Sequence, residues 1–201
     1  MEKKEIKSHI DEIIKRTFKT LKFVYDNQQE KHPNGPNYDK SRLIFPKYSK
    51  EKTRLSEQEL RFLFVETFNQ YCTEHNLPWY YSVETPTNCK YKFSDKGVEI
   101  PPEKNDDGQS AMIDLVIHNE KLKRIALMEF KAHNKPKNKF TKDFEKLKGE
   151  KSVLTYFIMY VESFNKGTIK SLKSKIENKS DDTVFCCYDL QSDQRIEKEI
   201  L

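Results

Sequence analysis

Apolar residues recur at helical spacing over residues 3–25, where Ile6, Ile10, Ile13, Ile14, Phe18, Leu21 and Val24 fall on one stripe. Residues 26–50 break that pattern. They hold Pro33, Gly35, Pro36 and Pro46 with few apolar positions, and they read as a linker. A second helix starts at Ser56, which has capping-box spacing to Glu59, and runs to about His75. Leu60, Leu63, Phe64, Phe68 and Tyr71 form its apolar face. Trp79–Glu84 reads as a strand. Residues 85–110 hold Pro86, Gly97, Pro101, Pro102 and Gly108 and read as a long connection, with a short strand near Tyr91–Phe93. Two short aliphatic runs follow, 111–117 and 125–132, with the appearance of buried strands joined by a polar hairpin at 118–124. Beyond them the pattern predicts a helix at 138–149, a strand at 152–161, a helix at 166–177 and a strand at 183–188.

The element order is helix, three strands, helix, strand, helix, strand, which places the chain in the α/β class. Alternation of strand and helix after residue 131 predicts some parallel pairing. Residues 1–54 read as a helix-and-linker extension, and 55–201 as the main domain. A chain of 201 residues is long enough for one substantial core. No run of about 18 apolar residues occurs, so no membrane span or membrane partner is expected. Cys72, Cys89, Cys186 and Cys187 have neither zinc-ligand spacing nor disulfide density, and they read as reduced thiols of a cytoplasmic protein. With only five glycines and no glycine-rich phosphate loop, nucleotide-binding folds are disfavoured.

The apolar runs carry the informative residues. Asp114 interrupts the first; Glu129 and Lys131 interrupt the second. A carboxylate in a buried strand is costly unless it is paired or binds a cation. Side chains alternate along a strand, so Glu129 and Lys131 share a face and Phe130 points the other way, while Asp114 can lie beside them. Such an arrangement suits Mg²⁺ or Mn²⁺ with an ammonium alongside.

Asp114, a 15-residue step to Glu129, and Lys131 two positions later resemble the signature of the PD-(D/E)XK nuclease superfamily over roughly residues 55–190. Ile113 stands where that signature often has proline. The resemblance implies a restriction-endonuclease-like α-β-β-β-α-β core with a mixed central sheet flanked by helices. It also implies a metal-dependent endonuclease that hydrolyses phosphodiester bonds in DNA, as in restriction, repair or defence. Asp114, Glu129 and the Phe130 carbonyl would hold the metal, and Lys131 would position water or offset charge. In this family a glutamate of the first core helix often completes the site, and Glu66 takes that role by position. A homodimer is compatible with this reading. A catalytically silent nuclease-like module that binds nucleic acid or a protein is the competing class.

Charge distribution adds a partner. From Lys131 to Lys151 eight lysines face three acids, a local excess of +5 equal to the formal net charge of the whole chain. Lys135, Lys137, Lys139 and Lys142 are the candidate phosphate contacts. His133 would share the face of Glu129 and Lys131 if the strand continued that far, although a polar strand-end role is the commoner one.

Overall fold

The computed structural model describes residues 1–29, 41–48, 53–94, 97–99, 108–133, 137–150, 153–164, 167, 170, 172 and 183–197. Its helices are α1 (Lys3–Gln29), α2 (Glu57–Glu74) and α3 (Lys137–Gly149). Its strands are β1 (Tyr80–Ser94), β2 (Gly97–Glu99), β3 (Gln109–His118), β4 (Arg124–Ala132), β5 (Leu154–Val161), β6 (Thr183–Asp189) and β7 (Gln194–Glu197). Most of the helix expected at 166–177 and most of the linker expected at 26–50 lie outside the described residues; residues 167, 170 and 172, which are described, are helical.

The strands line up as β2-β1-β3-β4-β5-β6-β7. Pairing is antiparallel from β2 through β1 and β3 to β4, parallel along β4-β5-β6, and antiparallel again at β7. The protein is thus α/β with a mixed sheet. α1 and α2 pack on one face, where Phe18, Leu21, Leu60 and Phe64 meet Leu115, Phe130, Tyr156 and Tyr188. α3 covers the other face, where Phe144 and Leu147 meet Val116, Leu127, Phe157 and Phe185. β5 lies between β4 and β6 and is buried at every position, as a strand covered on both faces should be. No helix among the described residues is long and apolar enough to cross a membrane.

Two sequence expectations need revision. α1 buries Ile10, Ile13, Ile14, Phe18, Leu21 and Val24 in the same cluster as α2 and the sheet, so packing sets no boundary between it and the main domain. Residues 85–94, expected as connection apart from a short strand near Tyr91–Phe93, continue β1 throughout. The polar residues there work within the ladder, which shifts register between Pro86 and Lys90. Thr87 Oγ1 accepts the Ala111 N–H at 3.0 Å and donates to the Cys89 carbonyl at 2.7 Å.

The β3–β4 hairpin is closed by Asn119. Its Oδ1 accepts the N–H groups of Lys121 and Lys123, both at 3.0 Å, while Leu122 takes the left-handed turn position at φ 56°. α2 starts with the expected capping box, in which the Ser56 N–H donates to Glu59 Oε2 at 2.8 Å.

The far end of α3 is tied to β1. Tyr91 Oη donates to the Lys146 carbonyl at 3.0 Å, the Cys89 thiol to the Gly149 carbonyl at 3.0 Å, and the Cys89 N–H to Glu150 Oε1 at 2.8 Å. Gly149 has to be small, because a methyl there would run into the Tyr91 hydroxyl and sit 3.1 Å from its Cζ. We expect Gly149→Ala to destabilise the fold by about 1–3 kcal/mol in urea unfolding. Adding Tyr91→Phe should then cost less than it does in the wild type, whereas strictly additive losses would show that the two positions are not coupled.

Candidate active site

The β3–β4 ladder runs from His118↔Arg124 to Leu115↔Met128. At the next step a side chain takes over from the backbone, and the Phe130 N–H donates to Asp114 Oδ2 at 2.8 Å. Asp114 is thereby fixed beside β4. Glu129 and Lys131 project from β4 on the same face of the sheet, under α3. Asp114, Glu129 and Lys131 are brought together as the sequence predicts. Lys131 Nζ lies 4.0 Å from Asp114 and 3.9 Å from Glu129.

Three further charged residues join them. Asp143 of α3 lies 3.1 Å from Lys131 and 2.9 Å from Lys146. Lys146 Nζ lies 2.5 Å from Glu129 Oε1 and donates to the Met112 carbonyl at 2.9 Å. Glu57, the first residue of α2, lies 3.6 Å from Lys131. Four carboxylates and two ammonium groups leave a formal surplus of two negative charges. The cluster borders a cleft of about 640 Å³ lined by Glu57, Asp114, Lys131, Asp143 and Lys146, with Lys142 and Glu84 at its rim.

Glu66 does not reach this cluster. Its carboxylate accepts the Ser41 hydroxyl at 3.0 Å. Glu57 and Glu66 are nine residues apart, roughly two and a half turns and 13 Å along the axis, so they point in opposite directions. Glu57, not Glu66, is the α2 glutamate beside the site. His133 is turned away as well. β4 ends at Ala132, His133 adopts φ 63°, and its Nε2 hydrogen-bonds the Leu55 carbonyl at 2.8 Å. That contact, with Tyr160 Oη donating to the Ser56 carbonyl at 2.7 Å, sets the start of α2 over the strand ends and so places Glu57. Of the four candidate phosphate-binding lysines, Lys142 is exposed at the cleft. Lys135 lies outside the described residues, and Lys137 and Lys139 fall in the first turn of α3, where side chains are not described.

Asp143 and Lys146 escaped sequence reading because α3 is lysine-rich and looks solvated. A signal was present: positions 143, 147 and 150 follow i, i+4, i+7 spacing around buried Leu147 and so share its stripe.

Burial dominates the electrostatics. Glu129 is fully buried; its Oε1 is ion-paired with Lys146 at 2.5 Å, and its Oε2 has no hydrogen-bond partner and lies 3.9 Å from Lys131. Its carboxyl is held well above the usual range by burial first, then by Asp143 and Asp114, against the pull of the two lysines. Burial also raises Asp114, with Lys131 and the Phe130 N–H opposing. For Lys131, burial pulls downward, but Asp143, Asp114, Glu129 and Glu57 outweigh it and hold the ammonium above its ordinary value. Lys146 is raised in the same way, with Glu129 and Asp143 overcoming burial. Among the described residues no three His, Cys, Asp or Glu side chains converge closely enough to enclose an ion by themselves. The lysines stand between the carboxylates. Comparison with protein-family models, with curated proteins and with solved structures finds no match for this chain.

A raised carboxyl pKa stabilises the fold below the unfolded-state value of about 4.3 and loses that contribution as pH rises through the folded-state value. Ionised Glu129 is therefore a burden at neutral pH. Glu129→Gln, which leaves both lysines paired with Asp143, should raise stability by on the order of 1 kcal/mol at pH 8 in metal-free buffer. The gain should shrink as pH falls toward 4. Thermal melts across that range check it, and a mutant no more stable than wild type at pH 8 would refute the assignment.

Proposed function

We propose that this protein is a metal-dependent nuclease that hydrolyses phosphodiester bonds, with DNA as the expected polymer. The observation that carries this reading is Glu129: a fully buried carboxylate whose Oε2 has no hydrogen-bond partner, set beside Asp114 and Lys131, which line an open cleft. A fold gains nothing from such a group unless a cation or substrate completes it. The order α2, antiparallel β1-β3-β4, α3, parallel β5 supports a restriction-endonuclease-like core, as the sequence resemblance implies.

Asp114, Glu129 and Asp143 supply carboxylate oxygens, the chemistry that a hard divalent ion takes once the intervening lysines give way; the Phe130 carbonyl is the further ligand that the resemblance implies. A bound Mg²⁺ or Mn²⁺ would activate a coordinated water and offset phosphate charge. Lys131 keeps its proton at neutral pH, so it acts as a fixed positive charge toward phosphate or attacking water and not as a base. Proton acceptance then falls to a carboxylate, and Asp114, at 18% exposure, is the strand carboxylate open to the cleft. Lys142 at the rim offers a contact for the polymer backbone.

One observation favours a silent binding module: the two ammonium groups already neutralise half of the carboxylate charge. Incubation with linear, circular and single-stranded DNA, with and without Mg²⁺, separates the two. We expect circular DNA to be cut only with Mg²⁺ or Mn²⁺, and Lys131→Ala to cut about 10²-fold more slowly. Binding of DNA without cleavage under every metal condition would leave the silent module.

Lys142→Ala should weaken binding to all sequences alike and flatten the salt dependence by about one unit. A changed sequence preference at constant salt slope, measured by fluorescence anisotropy, would contradict a backbone contact.

A further inference from the structure

Lys146 has an unusual environment for a lysine. Its Nζ is surrounded by three oxygens from three different elements: Glu129 Oε1 of β4 at 2.5 Å, Asp143 Oδ1 of α3 at 2.9 Å and the Met112 carbonyl of β3 at 2.9 Å. Two carboxylates and a backbone carbonyl make the ligand set that a hard cation selects. Glu129 is fully buried, and its second oxygen, Oε2, has no hydrogen-bond partner. Lys131 is not equivalent. Its nearest oxygen is 3.1 Å away, and the other three carboxylates lie at 3.6–4.0 Å.

We infer that Lys146 Nζ holds the place of a cation, and that a divalent ion enters this site by displacing the ammonium from Glu129, Asp143 and the Met112 carbonyl. The inference rests on the metal-dependent reading above. The backbone of Lys146 is held by Tyr91, so exchange needs only rotation of the flexible side chain. Lys146 already lines the cleft, and the released ammonium swings into the space where a phosphate would lie. Ion entry would then have two effects: it fills the oxygen cage, and it delivers a positive charge to the substrate side. Lys146 is by this account a positioning residue that weakens metal binding in the absence of substrate.

Calorimetric titration of the full chain with MnCl₂ and MgCl₂ tests this on wild type, Lys146→Met and Lys148→Met, the last an exposed position on the same helix. Lys146→Met should bind Mn²⁺ at least about ten-fold more tightly, which is about 1.4 kcal/mol. Its metal-free melting temperature should fall below that of wild type and recover when Mn²⁺ is added, while Lys148→Met should follow wild type throughout. If wild type binds the ion and Lys146→Met binds it equally or less well, the displacement is wrong and the metal site stands. If neither protein binds, the metal-dependent reading fails, and the inference with it. Should Lys146→Met not fold, reductive methylation of the wild type gives a second answer. Labelling of Lys146 read by mass spectrometry should increase at saturating Mg²⁺ while that of Lys148 stays constant. Unchanged labelling of Lys146 would overturn the displacement.

Discussion

A cluster of largely buried charges, in which carboxylates outnumber ammonium groups, is the constraint around which this molecule is arranged. Charges taken from water are tolerated only where partners are held in place against them. Here Asp143 is shared between two lysines, and each lysine is shared among several acids. No single pair is self-contained. Their arrangement depends on three layers meeting at one spot: β3 and β4 below, α3 above, and the start of α2 at the side.

The neighbouring contacts make sense in that light. Tyr91, Cys89 and Glu150 hold the end of α3 to β1, which keeps Asp143 and Lys146 over the carboxylates. His133 and Tyr160 hold the turn before α2 to the ends of β4 and β5, which keeps Glu57 against Lys131. Two of the described left-handed residues, Glu84 and His133, lie where β1 and β4 meet these supports. Backbone strain of this kind persists only where surrounding contacts over-determine it. Arg61, 2.6 Å from Glu84 Oε1, is one such contact. The cleft is thus framed by anchored segments, and its lining carries the charged groups Asp114, Lys131, Asp143 and Lys146.

Much of this could be read along the chain. β3, β4 and β5 are short aliphatic runs, and a charge inside such a run stands out against its neighbours. Asp114, Glu129 and Lys131 were visible for that reason. The start of α2 was visible because a capping box is a local interaction, complete within four residues. Other features depend on three-dimensional phase. Glu66 and Glu57 differ by half a turn of α2, and only the docking of the helix decides which of them faces the strands. Asp143 and Lys146 look like members of a solvated lysine-rich face until α3 is laid on the sheet. The second half of β1 was obscured because Thr87, Asn88 and Lys90 are polar and the ladder shifts there, while the four residues of β7 are too few for any periodicity. Apart from Asp143, which shares the helical stripe of Leu147, the missing information is tertiary, carried by the partner surface and absent from the segment itself.

The packing of α1 bears on how the chain is made. Phe18 stacks on Tyr188 with ring centroids 4.8 Å apart, although the two are 170 positions apart in sequence. Tyr25 hydrogen-bonds Glu162, and the apolar stripe of α1 shares its cluster with Tyr156, Cys186 and Leu190. Synthesis proceeds from the amino end, so α1 leaves the ribosome long before the strands that cover it. Its stripe of isoleucines must wait for the sheet through most of translation, with only α2 to cover it early. α2 and the antiparallel β1-β3-β4 unit can pair locally in the meantime, but closure of the core is delayed until β6 emerges. During that interval α1 is the segment most open to chaperones and to unproductive association with another nascent copy.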